Sequence, residues 1–131
     1  MGFDNLFYAL QESERYLKTY RVANYRHVLI VMRELLFNAY YHGNDAREDR
    51  EITAIITWES ETAVGVTVED QGEGFDYDAL HTSLHGRITG ANSRGYKLIN
   101  AIASRIEFNE KGNGTTATVG VEYDASHKYN H

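Results

Sequence analysis

The stretch Arg33-Glu34-Leu35-Leu36-Phe37-Asn38-Ala39-Tyr40-Tyr41-His42-Gly43-Asn44 decides how the rest of the chain is read. It has the character of the last turns of a long helix, running from about Asn24 to His42. Val28, Val31, Met32, Leu35, Leu36 and Ala39 recur at helical spacing, which predicts one buried side. Gly43 suits the left-handed residue that ends a helix, with Asn44 as a second candidate. Glu34 and Asn38 stand four apart, so they share a face off the apolar stripe, with Cβ atoms roughly 5–6 Å apart. A carboxylate and a carboxamide so placed can divide labour at a magnesium-phosphate centre. The amide oxygen would touch the hard cation, and the carboxylate would take a proton from a nucleophile. A solvated helix face has the same appearance, so the motifs further along the chain carry the weight.

The 131 residues fit one domain, residues 1–131, with one core. A hydrophobic share of 42% is that of a globular protein. With no Cys there is no disulfide framework and no thiolate zinc site. The start carries Asp4, Asn5 and Gln11 rather than an apolar run, so no signal peptide is expected. No stretch approaches the ~20 apolar residues that cross a bilayer, so the expected compartment is the cytoplasm, without a membrane partner. A net charge of −6 argues against nucleic acid as a partner. Arg15, Lys18, Arg21, Arg26 and Arg33 nevertheless crowd the first quarter. They read either as a solvated face or as a docking patch for an acidic partner.

Working outward, Phe3 to Tyr20 reads as a first helix, with Leu6, Leu10, Leu17 and Tyr20 as its apolar stripe. Arg21 to Asn24 is the break before the organising helix, and Asp45 to Arg50 is a charged loop. Two strands come next, Glu51–Glu59 and Ala63–Glu69, joined by a linker short enough for an antiparallel hairpin. A last strand, Thr115–Tyr123, puts Ala117, Val119, Val121 and Tyr123 on one side. Glu107–Asn109 forms a short strand closed by the turn Lys111-Gly112-Asn113-Gly114. Strands of this type have one buried and one wet face, so helices cover one side only. The fold class is therefore α/β (α+β), a two-layer sandwich with a mixed, mostly antiparallel sheet.

Between the strands lies Asp70-Gln71-Gly72-Glu73-Gly74, whose glycines let the backbone turn sharply or approach a flat ligand. Arg94 to Ile106 reads as a third helix with Leu98, Ile99, Ile102 and Ile106 inward. Its start, Ser93-Arg94-Gly95, offers free N–H groups and the positive end of a helix dipole, both suited to phosphate.

Four pieces thus stand in order: Glu34-x-x-x-Asn38-Ala39, Asp70-x-Gly72-x-Gly74, Arg94-Gly95 opening a helix, and Gly112-x-Gly114-Thr115-Thr116. Together they resemble the ATP-binding domain of the GHKL superfamily, the Bergerat fold. The sequence looks most like the small bacterial serine kinases that act as anti-sigma factors, through Asn38-Ala39-x-x-His42-Gly43 and the short stretch between the second and third motifs. At this length a complete histidine kinase is not expected. The resemblance implies ATP and Mg2+ as cofactors. It implies an anti-sigma-factor antagonist, a sigma factor, or both, as protein partners, and a homodimer. Glu34 would be the general base and Asn38 the magnesium ligand. Asp70 would accept a hydrogen bond from the adenine amino group, with Gly72 and Gly74 keeping the base pocket open. Backbone groups of Ser93, Arg94 and Gly95 would cradle phosphates, with Lys97 adding charge. Either Thr115 or Thr116 would reach the adenine side. His42 extends the Glu34–Asn38 stripe, either as a third ligand or as a hydrogen bond at the helix end. Arg87 either contacts the γ-phosphate or is solvated.

The chain departs from the family in three places. Ala91, Asn92 and Ser93 stand where a glycine-rich run is usual, and Tyr96 stands where a small aliphatic is common. The N-terminus reads as helix where a strand is frequent, which predicts a shifted edge of the sheet. The missing glycines support the rival reading, a non-catalytic interaction module that binds nucleotide weakly or not at all and docks through its basic first helix.

Overall fold

Alternating strands leave one apolar face, and that face needs a cover. In the computed structural model, which describes residues 3–44, 47, 50–72 and 91–124, the cover is a layer of helices. Among these residues, helix α1 (Phe3–Thr19) packs on α2 (Tyr25–Asn38), and a π-helical turn (Ala39–Gly43) prolongs α2. Strands β1 (Thr53–Ser60) and β2 (Ala63–Glu69), helix α3 (Ala91–Ile102), and strands β3 (Arg105–Phe108) and β4 (Gly114–Gly120) complete the order. The sheet runs β1-β2-β4-β3 and every neighbouring pair is antiparallel. The parallel component expected of a mixed sheet is therefore missing among the described strands.

Register fixes the two faces. Ile56 pairs with Val66, Val66 with Ala117, and Ala117 with Ile106, so all four side chains share the inner face. Helix α2 lies across β2 and β4 and brings Val28, Val31, Met32, Leu35 and Leu36 onto that face. These residues are almost wholly buried, as their helical spacing predicts. The outer face carries threonines and charges, with Arg105 of β3 reaching Glu59 of β1 at 3.6 Å.

Several boundaries differ from the sequence reading. The third helix starts at Ala91 and ends at Ile102, and Ile106 belongs to β3, where it alternates with Phe108. The inward stripe of α3 is the buried Tyr96 and Ile99 with the half-buried Ile102, at i, i+3, i+6, so Leu98 is left 39% exposed. Tyr20 lies beyond α1 and is 51% exposed. Strand β4 stops at Gly120, and Tyr123 instead makes an isolated bridge with Val22. The Ala23 N–H donates to the Glu122 carbonyl at 2.7 Å and the Asn24 Nδ2 to the Gly120 carbonyl at 2.9 Å, so the segment between α1 and α2 lies along the end of β4, in keeping with the shifted edge.

The break between α1 and α2 has a defined geometry. Arg21 adopts φ 62, the Val22 N–H donates to the Leu17 carbonyl at 3.1 Å, and the Arg21 N–H to the Lys18 carbonyl at 3.0 Å. This is a Schellman closure with a non-glycine residue in the left-handed position, and Leu17 and Val22 bury the accompanying apolar contact. At the end of α2 the expected left-handed glycine is absent: among described glycines only Gly112 has a positive φ. The Asn44 N–H instead reaches the Ala39 carbonyl at 2.7 Å, an i→i+5 bond, and the chain leaves through a π-turn.

Candidate functional site

Strand β2 points Val64, Val66 and Val68 inward, and continuing the alternation brings Asp70 to the same side, just past the strand's end. Its side chain is buried, and its backbone is held on both sides by one residue. The Asp70 N–H donates to the Asn113 carbonyl at 2.9 Å, and the Asn113 amide Nδ2 donates to the Asp70 carbonyl at 2.7 Å. Asn113 is presented by the β3–β4 turn. There the Asn109 Oδ1 accepts the N–H groups of Gly112, Asn113 and Gly114 at 2.7, 3.1 and 3.2 Å.

The carboxylate itself is walled by glycine. Oδ1 accepts the Gly72 N–H at 2.7 Å. A β-carbon on Gly43 would lie 2.1 Å from Oδ2, and one on Gly72 would lie 2.0 Å from the Gly43 carbonyl oxygen. The Asp70 side chain takes the space of a side chain at Gly43, and the Gly43 backbone takes that at Gly72, which is why both positions lack side chains. The end of the organising stretch is also tied to the Asp70 loop. Asn44 is fully buried; its Oδ1 accepts the Gln71 N–H at 2.9 Å, and its Nδ2 donates to the Glu51 carbonyl at 3.1 Å. Burial pushes the Asp70 carboxyl above the usual carboxylate range, opposed by the Gly72 N–H.

Thr115 pairs with Val68 in the ladder, so it faces inward beside Asp70, and its Oγ1 lies 3.2 Å from the Tyr96 hydroxyl. Thr116 pairs with Thr67 and faces outward, its Oγ1 2.8 Å from that of Thr67. Of the two threonines, only Thr115 shares the side of Asp70, a choice that the sequence leaves open and strand alternation makes.

Glu34 and Asn38 occupy the last turns of α2, on the helix whose end reaches Asp70 through Gly43. The Glu34 Oε1 pairs with the neighbouring Arg33 at 3.1 Å, and its side chain is partly exposed. Asn38 is buried, and its amide Nδ2 has no hydrogen-bond partner among the described residues. The face expected to be free of the core therefore dips into it at Asn38. His42 is exposed within the π-turn. Lys97 is exposed on α3. Helix α3 begins at Ala91, so Ser93, Arg94 and Gly95 lie within its first turns. Gly74 and Arg87 lie outside the described residues.

Three of the basic residues of the first quarter are already neutralised. Arg15 pairs with Glu12 and Lys18 with Glu14, each at 3.2 Å, and Arg33 with Glu34. Arg26 stacks on the Tyr25 ring. Such exposed pairs contribute little stability but cancel the local field. The solvated-face reading is the one this geometry supports. Sequence reasoning gives none of these site contacts to Asn44, Asn109, Asn113 or Tyr96; for the two turn asparagines, the signal is their place around Gly112.

The sequence pattern of the histidine kinase-like ATPase domain matches residues 9–120 of the chain. Among solved structures, the chain is similar to the histidine kinase domain from the Erythrobacter litoralis EL346 blue-light activated histidine kinase. Identity is 21% and the TM-score 0.51, over 74% of this chain and 46% of that one. It is also similar to the Erythrobacter litoralis EL346 blue-light activated histidine kinase at 20% identity and a TM-score of 0.53, over 79% of this chain and 32% of that one. At these identities the likeness is one of fold, and the chain spans less than half the length of either structure. No curated protein matches it in sequence. No described helix is long and apolar enough to cross a membrane.

Proposed function

The chain belongs to the histidine kinase-like ATPase domain family, and from that premise we propose that it is an ATP-binding regulator of the anti-sigma-factor type. It moves the γ-phosphate of ATP to a serine or threonine of a small antagonist protein and also sequesters a sigma factor, working as a homodimer. The observation that carries the nucleotide part is the buried Asp70 carboxylate, held from behind by Asn113 and walled by Gly43 and Gly72. A buried carboxylate raised by desolvation is costly to keep without a role, and the 6-amino group of adenine is a donor suited to it.

Asn38 fits a metal-phosphate group through both ends of its amide. Its Oδ1 is the kind of oxygen a magnesium ion takes, while its buried Nδ2, a donor without a partner among the described residues, would suit a phosphate oxygen; a nucleotide-borne ion needs few protein oxygens because phosphates and water complete its shell. When bound, that ion neutralises charge on the phosphate oxygens. Glu34, one turn earlier and partly exposed, takes the proton as the serine O–H bond breaks. The serine oxygen then bonds to the γ-phosphorus, and the bond from that phosphorus to the bridging oxygen breaks to release ADP. The free N–H groups at the start of α3 face the phosphates in this reading.

The test is transfer of radiolabel from ATP to candidate antagonists in the presence of magnesium. Glu34→Ala should abolish transfer while leaving ATP binding intact. No transfer to any antagonist by a wild-type chain that binds ATP, or transfer undiminished in Glu34→Ala, removes the kinase assignment. A non-catalytic module is the second reading, favoured by the Glu34–Arg33 pair and the early start of α3. Calorimetry separates the two, since micromolar ATP binding lost in Asp70→Asn supports the first.

A further inference from the structure

We propose that the Tyr96 hydroxyl fixes the direction of the Thr115 hydroxyl and so makes the pocket select an adenine edge over a 6-oxopurine edge; this rests on Asp70 being an adenine-binding residue. Tyr96 is 2% exposed on α3, its ring lies 5.9 Å from that of Phe108, and its hydroxyl meets the Thr115 Oγ1 at 3.2 Å. A buried phenol needs a hydrogen-bond partner, and Thr115 provides one.

Each hydroxyl in the pair has a single hydrogen. If the phenol donates to Oγ1, the threonine's own hydrogen must point elsewhere. Burial pushes the Tyr96 hydroxyl up to about 12, and the Asp70 carboxylate pushes it the same way, so the phenol keeps its proton at neutral pH. With the phenol donating, Thr115 is a donor towards the base beside the Asp70 acceptor, since Val68 opposite Thr115 is two residues before Asp70 on the same face. Adenine presents a donor, its 6-amino group, next to an acceptor, N1. A 6-oxopurine presents an acceptor next to an N–H donor, and both would meet a like group. Sites that hydrogen-bond one pattern reject the reversed one strongly, because buried groups are left unpaired. Tyr96 touches no ligand in this scheme; it is a positioning residue acting through Thr115.

The experiment is calorimetric titration of the full chain with ATP and with inosine triphosphate, comparing the ratio of the two affinities within each variant so that the folded fraction cancels. Tyr96→Phe removes only the hydroxyl. It should weaken ATP binding about 5–10-fold, leave inosine triphosphate nearly unchanged, and shrink the ratio accordingly. In a Thr115→Val background the same substitution should do nothing more. Tyr96→Met, also donor-free and adaptable in shape, carries the same expectation should the phenylalanine variant fail to fold. If these variants keep the wild-type ratio while Asp70→Asn still loses ATP, this proposal falls and the adenine site stands. If the wild-type chain binds neither nucleotide, or Asp70→Asn binds ATP normally, the adenine site falls and the proposal with it.

Discussion

Gly43 and Asp70, 27 positions apart in sequence, approach so closely that a β-carbon on the glycine would stand 2.1 Å from the carboxylate Oδ2. The organising stretch therefore contributes through the absence of a side chain as much as through Glu34 and Asn38. Gly43→Ala forces either the π-turn or the Asp70 loop to move, and Asn44 and Asn113 resist both motions. Expected is a loss of about 1–3 kcal/mol in urea unfolding, as for overpacked sites. ATP affinity should fall by at least about tenfold, since a 1 Å misplacement has effects of that order or larger. Unchanged affinity in the alanine variant would show that the carboxylate is not the recognition element.

Asp70→Asn should stabilise the chain near neutral pH while abolishing nucleotide binding. Desolvation raises the folded-state carboxyl above its unfolded value of about 3.9. Between those two values the folded chain holds more protons than the unfolded one, so stability from this group falls as pH rises through the window. Above it the buried charge is a standing cost, which the amide lacks. Thermal unfolding of the two proteins checks this: the variant's advantage is full at pH 7 and shrinks as pH drops through the folded-state value. An advantage that grows at low pH would reverse the sign and refute the argument.

Thr115 and Thr116 make a controlled pair, alike in chemistry and opposite in facing. Thr115→Val should weaken ATP binding several-fold, about the worth of one hydrogen bond. Thr116→Val loses only its contact with Thr67 on the outer face and should leave ATP affinity unchanged. Calorimetry on both variants decides it, and the reverse order would place the nucleotide on the open side of the sheet.

Arg21→Gly should raise stability by about 1 kcal/mol, because a left-handed conformation costs a side-chain-bearing residue roughly that much and costs glycine little. Urea denaturation is the check. Destabilisation would mean that the Arg21 side chain holds more than its backbone strain releases.

Much of this architecture is legible in the sequence because periodicity reports burial. The alternation of Val64, Val66 and Val68 and the helical spacing from Val28 to Leu36 reveal the sheet, its covered face and the helix that covers it. Motif order points to the family. Features set by contact between distant segments are not legible in this way. Gly43 has the sequence signature of a helix terminator, whereas its space is taken by Asp70. Ile106 matches a helical period that in fact ends at Ile102, because β-branched residues serve either element. The Asn113 clamp joins residues 43 apart, and no local pattern announces it. Tyr96 is visible as a departure from the family, but its partner Thr115 appears only once α3 is laid against β4.

The most direct measurement is a crystal structure of the chain grown with a non-hydrolysable ATP analogue and magnesium. The account predicts the adenine amino group within hydrogen-bond distance of the Asp70 carboxylate, the Asn38 amide oxygen on the metal, and Glu34 facing the γ-phosphate. A nucleotide bound anywhere that leaves Asp70 without contact to the base would contradict it.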